Sequence, residues 1–223
     1  MTHPFKGIPT IPKPSPAAQL QSDIHKELAS LSPPRKHYKW HYALEPAAIE
    51  LLNPDPESFK SFYRGYFHLK SGDWPGNKPQ PLKSWTASEL EPLPLYYIMP
   101  LNSDMYEAVQ EDCASSPPSQ DTYDRWLSDD ELQVFIDEYT RTGFQGSLNI
   151  YRILTQDRLR SDLHLFAGKT IDVPTIFISG EKDWGSFQEP GSLEGMEKVC
   201  TRFKGKHFIE GAGHVGSRMI ASR

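Results

Sequence analysis

Two residues late in the sequence, Asp183 and His214, have the types and spacing of a pair that activates water. A carboxylate behind a histidine fixes the imidazole tautomer and stabilises its protonated form, so the histidine serves as general base. Asp183 stands in Gly180-Glu-Lys-Asp-Trp-Gly185, directly after the apolar run Val173-Pro-Thr-Ile-Phe-Ile-Ser179. His214 closes Gly211-Ala-Gly-His214, after the short run His207-Phe-Ile-Glu210. Open parallel sheets present reactive groups just past the carboxyl ends of their strands. Singly, Asp183 reads as a turn residue and His214 as a surface histidine. Their order, and a gap of 31 residues that leaves room for a helix and a strand, tip the balance to a working pair.

The elements that must carry this pair are a strand over 174–179, a short helix within Pro190 to Cys200, and a brief strand at 207–210. Strand, helix, strand is a βαβ-like unit of a parallel sheet. The continuous apolar run at 174–179 predicts a strand buried on both faces. One such unit cannot form a stable sheet alone. Upstream the pattern is different. Residues 44–160 read as mostly helical, and the capping box Ser128-Asp-Asp-Glu131 marks the clearest helix start. Leu132, Phe135, Ile136 and Tyr139 follow on one helical face, and Gly143 is placed to end that helix. A second helix is predicted over about 147–157. The segment 70–94 carries Pro75, Gly76, Asn77, Pro79, Pro81, Pro92 and Pro94 and reads as a long lid-like loop. Residues 17–31 look helical, the proline-rich opening 1–16 extended, and Arg35-Lys-His-Tyr-Lys-Trp-His-Tyr42 a solvated strand or loop.

Composition narrows the function classes. The 223 residues carry a net charge of −5 with both signs well mixed, which argues against nucleic acid and against an anionic membrane surface. The longest apolar runs are far too short to span a bilayer. Cys113 and Cys200 suggest neither a disulfide framework nor a metal site, and no cofactor is expected. A cytoplasmic protein acting on a small apolar molecule is the expectation, with oligomeric state left open.

The segments around Asp183 and His214 resemble the acid and histidine segments of the α/β-hydrolase fold. Tyr139-Thr-Arg-Thr-Gly-Phe-Gln-Gly146 and Leu148-Asn-Ile-Tyr-Arg152 are similar to the cap of epoxide hydrolases and related haloacid and haloalkane dehalogenases. The resemblance implies that Tyr151 donates a hydrogen bond to an epoxide oxygen; Ile150 stands where the family has Trp. Tyr63-Arg-Gly-Tyr-Phe67 matches the Tyr-x-x-Tyr-Phe pattern of the second such tyrosine, so the resemblance gives Tyr63 that role. The chemistry is coherent, because epoxide opening builds negative charge on an oxygen that needs donors placed in advance, and a phenol donates without ionising. The bland alternative is that Tyr63 and Tyr151 are ordinary packing residues.

The implied organisation is the C-terminal part of an α/β-hydrolase fold with the opening strands missing. Residues 1–43 would be an extended segment and helix that follow the absent nucleophile strand, 44–167 a helical cap, and 168–223 the sheet portion. No Gly-x-Asp-x-Gly or Gly-x-Ser-x-Gly elbow occurs, and Asp73 and Asp104 lie in the lid region rather than on an elbow. The tail Val215-Gly-Ser-Arg-Met-Ile-Ala-Ser-Arg223 is short and polar for a closing helix. A gene cut short at both ends is the expectation, and with it an impaired enzyme. The competing readings are a dehalogenase-type hydrolase and a non-catalytic remnant that binds small molecules. A serine esterase is more distant, for want of an elbow.

Overall fold

The computed structural model describes residue 4 and residues 16–52 and 55–214. The proline-rich opening, apart from residues 4 and 16, and the tail 215–223 lie outside the described residues. In chain order the elements are α1 (Pro16–Ala29), β1 (Arg35–His37), α2 (Tyr38–Ala43), α3 (Pro46–Glu50), α4 (Pro56–Leu69), α5 (Ala87–Leu90) and β2 (Ile98–Pro100). There follow α6 (Met105–Cys113), α7 (Gln120–Tyr123), α8 (Asp129–Thr142), α9 (Gln145–Thr155), α10 (Asp157–Arg160), β3 (Thr175–Gly180), α11 (Ser192–Val199) and β4 (Phe203–Ile209).

Local chemistry sets the helix ends. Asp55 caps α4 by accepting from the Glu57 and Ser58 N–H groups, and Pro56 occupies the first turn, where its missing N–H costs nothing. Asp104 and Glu107 form a capping box on α6, so Asp104 is a helix cap. The Ser128–Glu131 box on α8 is present, and α8 stops at Gly143, whose φ of 68° lies in the left-handed region that favours glycine. Most of 70–94 is irregular, as expected. Its Asn77 amide donates to the Leu69 and Ser71 carbonyls, both at 2.7 Å, and so anchors the loop.

The stretch Arg35 to Tyr42 departs from expectation. It forms β1, which pairs antiparallel with β2, and then α2, with His37, Tyr38, Lys39 and Tyr42 buried. Tyr38 and Tyr42 lie one helical turn apart on an inward face. Burial of Lys39 is tolerated because its Nζ meets Glu189 Oε1 at 2.6 Å.

One large aromatic core runs from Ile24 to Trp184 and gathers side chains from α1 through α9. The strands β3 and β4 pair in parallel, with Ile178 opposite His207 and Gly180 opposite Ile209. The helix α11 lies between them in sequence, and its Met196 packs with Phe177 and Cys200 in a second, small core. The expected burial of both faces of β3 is not found. Phe177 and Ser179 point inward, while Ile176 and Ile178 are 50% and 49% exposed. The reason is coverage: the small core closes one face, and the other meets little among the described residues.

Candidate active site

Asp183 and His214 come together as the sequence pattern implied. Strand β3 ends at Gly180, where a Cβ would stand 2.3 Å from the carbonyl oxygens of Ala212 and Gly213, so only glycine lets the two loops meet. The Lys182 N–H then donates to the Ala212 carbonyl at 2.9 Å, tying the acid loop to the histidine loop. His214 Nδ1 lies 3.2 Å from both Asp183 carboxylate oxygens.

The carboxylate is buried, at 2% exposure, and is held from several sides. Its Oδ1 accepts from the Gly185 N–H at 2.7 Å. Its Oδ2 faces Ser179 Oγ at 3.3 Å, and Ser186 Oγ donates to Ser179 Oγ at 2.7 Å. Burial pushes the Asp183 carboxyl upward. The hydrogen bond and charge of His214, the Gly185 N–H and the nearby Lys70 ammonium outweigh that and hold it below the usual carboxylate range. An ionised, oriented carboxylate behind a histidine directs the other ring nitrogen outward as a base.

The two sequence-nominated tyrosines lie in different surroundings. Tyr151, on α9, is half-buried, and its ring stands 5.7 Å from Tyr38 and 5.1 Å from Tyr42. Burial pushes its phenol up to about 12, so it stays a neutral donor across the physiological range. Tyr63, on α4, is stacked against Tyr139 and Phe144, each with ring centroids at 5.9 Å. Burial also raises its phenol strongly. The tyrosine of the Tyr-x-x-Tyr motif that reaches the α2 tyrosines is Tyr66, one turn further along α4. The Tyr42 hydroxyl lies 3.5 Å from the Tyr66 hydroxyl, a long contact that completes a cluster of Tyr38, Tyr42, Tyr66 and Tyr151.

Sequence reasoning overlooked Ser179, Ser186, Lys70, Tyr66 and the α2 tyrosines. A signal existed for some of them: Tyr38 and Tyr42, and Tyr66 and Lys70, are each four apart on one helical face. A cavity of about 340 Å³ between α1, α2 and the end of α9 is lined by His25, His37, Trp40, His41 and others, and by none of the four nominated residues. Among the described residues no three His, Cys, Asp or Glu side chains group as metal ligands. No described helix is long and apolar enough to cross a membrane.

A parallel β3–β4 pair with acid and base on the following loops, beneath a helical layer, is the C-terminal part of an α/β-hydrolase fold, and comparison with solved structures bears this out. The chain superposes on an epoxide hydrolase from an endophytic Streptomyces with a TM-score of 0.64 at 18% identity, covering 96% of this chain and 54% of that one. A laboratory-evolved variant of potato epoxide hydrolase gives a TM-score of 0.59 at 20% identity, over 99% and 56%. In sequence the proteins it resembles are also epoxide hydrolases. It is 27% identical over 215 residues to Epoxide hydrolase B of Mycobacterium tuberculosis, covering 95% of this chain and 57% of that protein. A stretch of 59 residues, 26% of this chain and 17% of the other, is 49% identical to Epoxide hydrolase A of the same organism. No protein-family model matches. The chain thus spans little more than half the length of the relatives it matches.

Proposed function

We propose that this chain carries the lid and the water-activating half of an epoxide-opening hydrolase. Residues 44–167 act as the cap and 168–223 as the sheet portion that presents the base. The observation that carries the reading is the Asp183–His214 contact at 3.2 Å on adjoining strand ends. Asp183 orients the imidazole, and His214 takes a proton from water as the oxygen attacks carbon. Phenols stabilise the alkoxide that forms as the ring opens. Tyr151 is one donor; the cluster around it favours Tyr66 for the second place, with Tyr63, the residue named by motif, supporting α4 from behind. The substrate is a small apolar epoxide, in keeping with the aromatic surroundings.

In the complete form of the reaction an aspartate first attacks the epoxide carbon, and His214-activated water then hydrolyses the ester. The 223 residues hold no Gly-x-Asp-x-Gly elbow, so by itself this chain is impaired and has only direct general-base attack, worth about 10²–10⁴-fold. The test is to incubate the purified protein with an aryl-substituted epoxide in ¹⁸O-labelled water and quantify labelled diol by mass. Diol above the buffer rate, abolished in His214→Ala and reduced at least tenfold in Tyr151→Phe, is the expected result. Halide release from a haloalkane without diol from the epoxide would replace this reading with the dehalogenase one. Epoxide binding that survives His214→Ala, with no product, would replace it with a binding protein. Neither binding nor turnover would end it.

A further inference from the structure

Lys70 takes no part in the chemistry above, yet its backbone is bonded to one member of the pair, His214. It caps the C-terminus of α4, one turn beyond Tyr66. Its carbonyl accepts the His214 backbone N–H at 2.8 Å. The approach is close enough that a Cβ on Gly213 would meet that carbonyl oxygen at 2.3 Å, and one on Gly72 would meet the Gly211 oxygen at 1.7 Å. The turn 70–72 and the turn 211–214 therefore lie backbone against backbone. From the β3 side, Lys182 Nζ donates to the Gly72 carbonyl at 2.7 Å and closes the clasp.

The ammonium of Lys70 is placed as unusually as its carbonyl. Nζ lies 4.9, 4.5 and 4.8 Å from the ring centroids of Tyr66, Tyr96 and Tyr97, within the range of cation–π attraction. Among the described residues no carboxylate forms a salt bridge with it. We propose that Lys70 is a positioning residue, whose carbonyl fixes the histidine loop while its ring-caged ammonium contributes to the field at the Asp183–His214 pair. The inference rests on Asp183 and His214 being the water-activating pair. It links the cap to the sheet portion through one residue.

The groups facing the ammonium are Tyr66 from α4, Tyr96 and Tyr97 from the segment before β2, and Asp183 after β3. Burial pushes the ammonium down to about 8, opposed by the Asp183 carboxylate. Below that pH the positive charge supports the Asp183 carboxylate. As pH rises through about 8 the charge leaves, and the field at the pair changes. The experiment is a pH titration of the folded protein by NMR, following the Asp183 ¹³Cγ and the His214 ring ¹⁵N resonances. Wild type should show a step in both resonances centred near pH 8. Lys70→Met should lack the step near pH 8 and titrate Asp183 at higher pH, with unchanged circular dichroism, while Lys70→Arg, which keeps its charge, should show no step near pH 8. A step near pH 8 that persists in Lys70→Met, or none there in wild type, overturns the proposal. Should Lys70→Met fail to fold, the wild-type and Lys70→Arg titrations decide it. No substrate enters the measurement, so failure of the epoxide reading is told apart from failure of this one.

Discussion

In the helical part, Leu28, Leu69, Leu90, Met99, Met105 and Leu132 reach 0% exposure and are packed among more than a dozen aromatic rings. In the β3–α11–β4 unit the buried apolar cluster among the described residues is Phe177, Met196 and Cys200, while Ile176, Ile178 and Phe208 stand 40–50% exposed. Asp183 and His214 belong to the thin region. Tyr151, Tyr66 and Lys70 belong to the thick one. The candidate site lies on the seam, so its geometry depends on how firmly the weaker unit is held to the stronger.

The largest effect should come from cutting into each core. Leu69→Ala removes a fully buried side chain from the thick region and should cost about 2–5 kcal/mol of global stability, read by urea unfolding. Phe177→Ala should open the thin unit locally. Hydrogen exchange would then show amides from 175 to 209 losing protection while those of α4 and α8 keep it. A cooperative collapse of both regions on Phe177→Ala would erase the distinction drawn above and make the chain a single unit.

One carboxylate from each region is shifted in the opposite direction to the other. Asp112, at the end of α6, is pushed up to about 6, chiefly by burial and against the bonds from the Tyr96 and Leu95 N–H groups. Asp172, on the surface near β3, is held below its ordinary value by hydrogen bonds from Thr170 and Thr201. The signs are opposite. A raised folded pKa favours the fold below the unfolded value near 3.8, and that contribution is lost as pH rises through about 6. Asp112→Asn should therefore stabilise the protein by about 1–2 kcal/mol at pH 7 and little at pH 4, measured by thermal unfolding across that range. Asp172→Asn removes a group with a lowered pKa, so any loss should appear above the ordinary carboxylate range and fade as pH falls. Identical pH profiles for the two variants would show that burial does not distinguish these two carboxylates.

How much was legible follows the same division. The Asp183–His214 pair could be read because each residue follows its own strand-like run, and strand ends in parallel sheets converge by geometry. The Ser128–Glu131 box and Gly143 could be read because caps are local chemistry. Arg35 to Tyr42 misled because the acidic balance of the chain pointed to a solvated strand or loop there. The partner that lets Lys39 be buried, Glu189, lies 150 residues away, and no local pattern announces it. The apolar run of β3 misled in the opposite direction, since it predicts burial without saying what covers it. Tyr66 was hidden by Tyr63: a motif gives spacing, but the Tyr42 hydroxyl that meets Tyr66 comes from α2, 24 residues away.

A smaller effect tests how Asp183 is held within the thin unit. Ser186→Ala removes the hydroxyl that donates to Ser179 Oγ, which in turn faces the carboxylate. The Gly185 N–H and His214 remain, so the fold should lose only about 0.5–1.5 kcal/mol, the net worth of one hydrogen bond. The Asp183 carboxyl should titrate at slightly higher pH, since one route of support for its charged form is weakened. Carbon NMR of the labelled carboxyl reads this directly, and Ser186→Thr, which keeps a hydroxyl, should restore it. If the carboxyl titrates unchanged in Ser186→Ala, the serine pair is packing, and the acid is held by the Gly185 N–H, by His214 and by the Lys70 charge.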